Sequence, residues 1–135
     1  MPETAQIMIS MRRNALFAAL PEQALSNLTS HACLKTFNSG QILIEENEDN
    51  HTLFLLTKGK VSIIINGTEV ATLQAGETVG EISISKISPP VARVVAVNEV
   101  EAVSLPARLI ETCCTEYPEF ALCLRATGLQ KVYGR

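Results

Sequence analysis

The segment Val61-Ser62-Ile63-Ile64-Ile65-Asn66-Gly67-Thr68-Glu69-Val70-Ala71-Thr72-Leu73 constrains the fold more than any other. Its arms alternate in strand fashion, and only Asn66-Gly67 separates them. Asn-Gly accepts the positive φ angles of a type I′ turn, so the segment is expected to close as an antiparallel hairpin. Ile63 and Ile65, or their neighbour Ile64, are expected to be buried, because three isoleucines on a solvated strand would invite association.

The texture around this hairpin is consistent with it. Between Phe37 and Leu105 the chain runs in short β-rich stretches punctuated by Gly40, Asn47 with Asn50, Gly59, Asn66-Gly67, Gly76 and Gly80. That spacing predicts an antiparallel barrel, roll or sandwich. Val91 to Val97 and Val100 to Leu105, separated by Asn98-Glu99, are almost continuously apolar and are expected to be central strands buried on both faces.

Helical spacing appears at both ends. Ala24, Leu25, Leu28 and Ala32 follow Pro21, a residue suited to a first helical turn, and Leu16, Phe17 and Leu20 lie just upstream. After Pro106, Leu109, Ile110, Cys113 and Cys114 form one helical group. Phe120, Cys123, Leu124 and Thr127 form another, with a break at Tyr117-Pro118. Phe120 and Leu124, one turn apart, are expected to pack on the strands. The fold class is therefore mainly β: an antiparallel, jelly-roll-like β-roll with N-terminal and C-terminal helices. All 135 residues are read as one domain, helical over 11–33, β-roll over 36–106 and helical over 107–133.

A net charge of −3 supplies no basic footprint, which argues against direct contact with nucleic acid. The longest apolar runs, Leu53 to Leu56 and Val61 to Ile65, are far short of the roughly 20 residues a membrane-spanning helix needs. Pro21 and Glu22 interrupt the N-terminal apolar stretch, so no cleaved signal is expected and the cytoplasm is the expected compartment. Cys33, Cys113, Cys114 and Cys123 form no C-x-x-C pair, and His31 and His51 stand at no ligand spacing from them. No metal is expected, and the adjacent Cys113 and Cys114 read as small hydrophobes in a reducing compartment. Neither histidine has an evident acid-base partner, so the chain is not expected to be an enzyme.

One stretch is suited to chemistry. Gly76-Glu77-Thr78-Val79-Gly80-Glu81-Ile82-Ser83-Ile84-Ser85-Lys86-Ile87-Ser88-Pro89-Pro90 lies between strands and combines glycines, a carboxylate and serines. A helical turn opening at Gly80-Glu81 would present free backbone N–H groups to an anion, and the carboxylate could accept hydrogen bonds from sugar hydroxyls.

From about Leu16 to Leu129, the order of elements resembles the cyclic-nucleotide-binding domain family, of the catabolite-activator and protein-kinase-regulatory-subunit type. The residues carrying the resemblance are Leu16-Phe17 with Leu20-Pro21, Phe37 with Gly40, Glu46, Leu53-Phe54, Gly59 with Val61, Gly76, Gly80-Glu81 and Pro118-Glu119-Phe120-Ala121. The resemblance implies that Gly80 and Glu81 open a phosphate-binding cassette in which the backbone cradles the cyclic phosphate and the glutamate holds the ribose 2′-hydroxyl. The candidate ligand pocket is Gly80, Glu81, Ile82, Ser83, Val91 and Ala92. It also implies a cyclic nucleotide, cAMP or cGMP, or another small anion as ligand, with no other cofactor.

The cassette departs from the family at its end. Counted without gaps from Gly80, the family's phosphate-gripping arginine falls on Pro90. Arg93 is an odd step along an extended strand from position 90 and is expected on the opposite face. Losing the charge-assisted contact would weaken binding by roughly tenfold to a hundredfold. Lys86, Ser83, Ser85 and Ser88 are the residues that could compensate, and Asn47 and Asn50 replace glycines usual in the family.

Two functions follow from the resemblance. One is a regulatory module sensing a small-molecule nucleotide, with weak or altered cyclic nucleotide binding. The other is a degenerate module of the same fold, binding no nucleotide and serving protein interaction or dimerisation. The expected partners are a protein or a covalently linked output domain, and a second copy through the C-terminal helix. Either the domain acts in trans or the sequence is a fragment of a longer chain.

Overall fold

The computed structural model of the protein describes residues 2–45, 52–80 and 93–133. Three helices come first: α1 (Pro2–Arg13), α2 (Ala15–Ala18) and α3 (Glu22–His31). Eight strands follow, β1 (Cys33–Phe37), β2 (Ile42–Ile44), β3 (Thr52–Lys58), β4 (Lys60–Ile65), β5 (Thr68–Gln74), β6 (Thr78–Val79), β7 (Arg93–Ala96) and β8 (Val100–Pro106). Two helices close the chain, α4 (Ala107–Glu116) and α5 (Pro118–Tyr133). The strands form two four-stranded antiparallel sheets, ordered β1-β8-β3-β6 and β2-β7-β4-β5. This is the helix-flanked β-roll expected from the sequence.

The hairpin of β4 and β5 turns at Asn66 and Gly67, with φ of 52° and 80°, the two positive angles a type I′ turn requires. A bulge between Ile63 and Ile64 shifts the register, so Ile63 is buried while Ile64 and Ile65 are half-buried.

The central strands of the first sheet, β3 and β8, are buried on both sides. Leu53 and Leu55 of β3 and Val103 and Leu105 of β8 meet the helices, packing with Met11, Phe17, Leu28, Ile110, Phe120 and Leu124. The intervening Phe54, Leu56 and Ala102 face the second sheet and pack with Val61, Ile63, Leu73, Val94 and Ala96. Alternating side chains therefore serve two separate cores, which explains the unbroken apolar run of β3. Withdrawing each such large side chain from water contributes roughly 1.5–3 kcal/mol. Phe120 and Leu124 are fully buried as expected, and the Phe120 ring lies 6.0 Å from that of Phe17.

Three expectations need correction. β7 is an inner strand of its sheet, but only one of its faces is buried: Val94 and Ala96 point inward, while Arg93 and Val95 are half-exposed. The helices pack on the other sheet, so the outer side of β7 has no helical cover from the described elements. Helix begins at Pro2 rather than near residue 11, because Ile7 and Met11, one turn apart, bury against α3. The roll begins at Cys33 rather than 36, because Ala32 is already extended and Cys33 pairs with Ser104.

Candidate ligand site

β6 has two residues, and both are buried. Val79 pairs with Phe54 and joins the core between the sheets, and Thr78 pairs with Leu55. A tight turn feeds this strand. The Glu77 N–H donates to the Gln74 carbonyl at 3.1 Å, and the Gln74 N–H donates to the Glu77 carboxylate at 2.9 Å. The turn is pinned to β3, with the Gly76 N–H donating to the Leu56 carbonyl at 2.8 Å and the Leu56 N–H to the Glu77 carbonyl at 2.9 Å. Beyond β6, Gly80 has a φ of 103°, a conformation in which a side chain would be strained. β6 belongs to the helix-covered sheet and β7 to the other, so residues 81–92 connect the two sheets.

Of the expected pocket residues, Gly80 is half-buried at the exit from β6. Glu81, Ile82, Ser83, Val91 and Ala92 lie outside the described residues, as do Pro90, Lys86, Ser85, Ser88, Asn47, Asn50 and His51. Arg93 begins β7, where it pairs with Ile64 and stands on the outer side of the sheet, opposite the inward Val94. Its Nε donates to the Glu45 carboxylate at 2.6 Å, an ion pair in which both side chains keep partial contact with water. No Lys, Arg, His, Asp or Glu is buried among the described residues, where the buried polar groups are Thr29, Ser62 and Thr78. Among the described residues, no fully buried charged side chain is available to neutralise an anion inside the roll.

Among the described residues the other reactive groups, Cys33 apart, are engaged structurally. His31 ends α3 with its Nδ1 3.0 Å from the Asn27 carbonyl and 3.1 Å from Ser30 Oγ. Burial raises the Cys113 thiol to about 11, with Cys114 and Glu116 adding to the shift. Cys114 and Cys123 are half-buried against the helical core and Cys33 is exposed. Among the described residues no cluster of His, Cys, Asp and Glu is placed to hold a metal ion, and no helix is long and apolar enough to cross a membrane. A crevice of about 390 Å³ between the N-terminal helices, lined by Arg12, Ala18, Leu20, Glu22 and Leu25, contains none of the candidate ligand residues.

Sequence reasoning missed two residues around the site, Glu45 and Asn14. Asn14 caps α2, accepting from the N–H groups of Leu16 at 2.8 Å and Phe17 at 3.4 Å. Its amide also donates to the Gly76 carbonyl at 2.9 Å. The cap had a signal in the sequence, an asparagine just before an apolar helical pair.

Two antiparallel sheets, helices clasped to one of them, and a left-handed glycine where the chain leaves it define a helix-flanked β-roll domain. The Cyclic nucleotide-binding domain family matches residues 34–117, more than half of the sequence, and the chain belongs to that family. A cGMP-dependent protein kinase from Eimeria tenella is 28% identical over 109 residues, covering 81% of this chain and 11% of the kinase. Among solved structures, a mutant regulatory subunit of a cAMP-independent protein kinase A from Trypanosoma brucei, bound to cAMP, gives a TM-score of 0.79 at 20% identity, over 87% of this chain and 45% of that one. The corresponding subunit from Trypanosoma cruzi, bound to guanosine, gives 0.78 at 21% identity, over 84% and 42%. At these identities the structural likeness shows the fold. The chain spans about a tenth of the kinase's length.

Proposed function

We propose that the protein is a non-catalytic, ligand-sensing regulatory domain whose site is Gly80, Glu81, Ile82, Ser83, Val91 and Ala92, and that it binds cyclic nucleotides weakly. The observation that carries this reading is the Gly80-Glu81 pair at the exit from β6, with Gly80 already left-handed, combined with Pro90 at the family's arginine position. Glu81 would hold ribose hydroxyls and backbone N–H groups would face the ligand, but no guanidinium would neutralise a cyclic phosphate. The guanosine found in the Trypanosoma cruzi relative supports a nucleoside without a phosphate as an alternative occupant of such a site. The domain would act in the cytoplasm, on a partner protein or a linked output domain such as the kinase relatives carry.

Calorimetric titration with cAMP, cGMP and guanosine tests this. Weak cAMP binding is expected, tightened by Pro90→Arg roughly tenfold to a hundredfold for a regained contact of about 1.5–3 kcal/mol. Glu81→Ala in that background should weaken it again. Sub-micromolar cAMP binding by the unmodified chain, reduced by Arg93→Ala, overturns the assignment of position 90.

Pro90 also favours a second reading, a protein-interaction module that binds no nucleotide and dimerises through α5. No heat with any of the three ligands, together with a dimer in sedimentation, would select it.

A further inference from the structure

We propose that Asn14 is a positioning residue that couples the seating of the helical layer to the end of the roll at Gly80; its link to ligand rests on the reading of that end as the ligand site. The side chain uses both halves of its amide. The oxygen caps α2 at Leu16 and Phe17, and the nitrogen donates to Gly76, 62 positions along the chain. Asp and Ser cap helices as well as Asn does, but a carboxylate cannot donate and a hydroxyl is too short to serve both places. The dual contact therefore selects asparagine.

What lies on either side of Asn14 makes the link consequential. On one side, Gly76 is hydrogen-bonded to β3 and precedes Gly80 by four positions, with the buried pair Thr78-Val79 between them. A shift of Gly80 has little slack before it reaches the turn. On the other side, α2 holds the fully buried Phe17, whose ring contacts Phe120 of α5. The chain of contacts thus runs from the β5–β6 turn through Asn14 and α2 to the C-terminal helix. Coupling through it is reciprocal: the free energy by which an ordered turn favours the seating of α2 equals that by which a seated α2 favours the turn.

The test uses amide hydrogen exchange at Leu16, Phe17 and Ala18. Asn14→Asp keeps the cap and removes the donor, and Asn14→Ser is a second variant of the same kind. Gly76→Ala perturbs the turn through its φ of 98° alone, since an added Cβ meets nothing within 4 Å. Gly76→Ala should speed α2 exchange about threefold to tenfold in the natural sequence, the scale of one hydrogen bond, and leave it nearly unchanged in the Asn14→Asp and Asn14→Ser backgrounds. The ligand arm adds saturating cAMP to the Pro90→Arg variant, where protection of α2 should rise and Asn14→Asp should abolish the rise. Equal effects of Gly76→Ala with and without Asn14, or none in either, overturn the coupling whatever binds. Coupling in the first arm without cAMP binding in the second would sustain Asn14's role and refute the ligand reading instead.

Discussion

Replacing Gly59 with alanine is the sharpest test of how the two sheets are joined. Gly59 sits between β3 and β4, one strand from each sheet, with a φ of 88°. A Cβ there would lie 2.3 Å from the Glu99 carbonyl oxygen, 2.9 Å from Asn98 Oδ1 and 3.0 Å from Val100 Cα. Two costs add. A left-handed conformation costs a residue with a Cβ roughly 1–2 kcal/mol. The contact with Glu99 is more than 1 Å closer than the usual optimum of about 3.5 Å, and relieving such overpacking costs typically about 1–3 kcal/mol. The neighbours cannot yield freely. Asn98 Oδ1 accepts from the Lys60 N–H at 2.9 Å, the Val97 N–H donates to the Lys60 carbonyl at 2.9 Å, and Val61 and Val100 are fully buried. The expected loss is about 2–5 kcal/mol out of a total of roughly 5–15 for a domain of this kind. Urea denaturation followed by circular dichroism measures it. Gly67→Ala is the control, with a φ of 80° and open space around its Cβ, so it carries the conformational cost alone. If Gly59→Ala proves no more destabilising than Gly67→Ala, the steric argument is wrong.

Other expectations are equally direct. Phe120→Ala should destabilise by about 3–5 kcal/mol in the same assay, because it empties the contact with Phe17 at the centre of the helical core. Between about pH 9 and pH 11 stability should fall as pH rises, because the unfolded chain releases the Cys113 proton while the folded chain, with its thiol raised to about 11, retains it. Cys113→Ala should flatten that slope in a pH series of urea midpoints. Under native conditions a thiol reagent should modify the exposed Cys33 first and the buried Cys113 last, as read by peptide mass spectrometry. Glu45→Gln should change stability by no more than about 1 kcal/mol, since its pair with Arg93 remains partly hydrated.

Local chemistry was legible in the sequence, and its long-range consequences were not. Asn66-Gly67 names its own turn, since few other dipeptides accept two positive φ angles, and the hairpin follows. The bulge at Ile63/Ile64 has no comparable signature, yet it decides which isoleucine is buried. β7 and β8 read alike, as near-continuous apolar runs. β8 pairs with β1 and β3 under the helices, and β7 pairs with β2 and β4 in the other sheet, so the same pattern is buried twice in one place and once in the other. The one local clue was Arg93, a charge that marks the watered face of its strand.

The candidate site divides in the same way. Gly80 could be singled out because the Gly80-Glu81 pair resembles the opening of the family's cassette, whereas by chemistry alone a glycine beside a carboxylate is more often a simple connection. Glu45 and Asn14 could not be tied to that neighbourhood, because their partners stand 48 and 62 positions away. Glu45 was visible only as an ordinary polar residue near the end of a strand, and Asn14 only as a local helix cap. The distinction bears on how a ligand domain can change while its fold persists. A change at Asn14 should loosen the tie between the β5–β6 turn and α2 while the buried side chains of both cores stay in place.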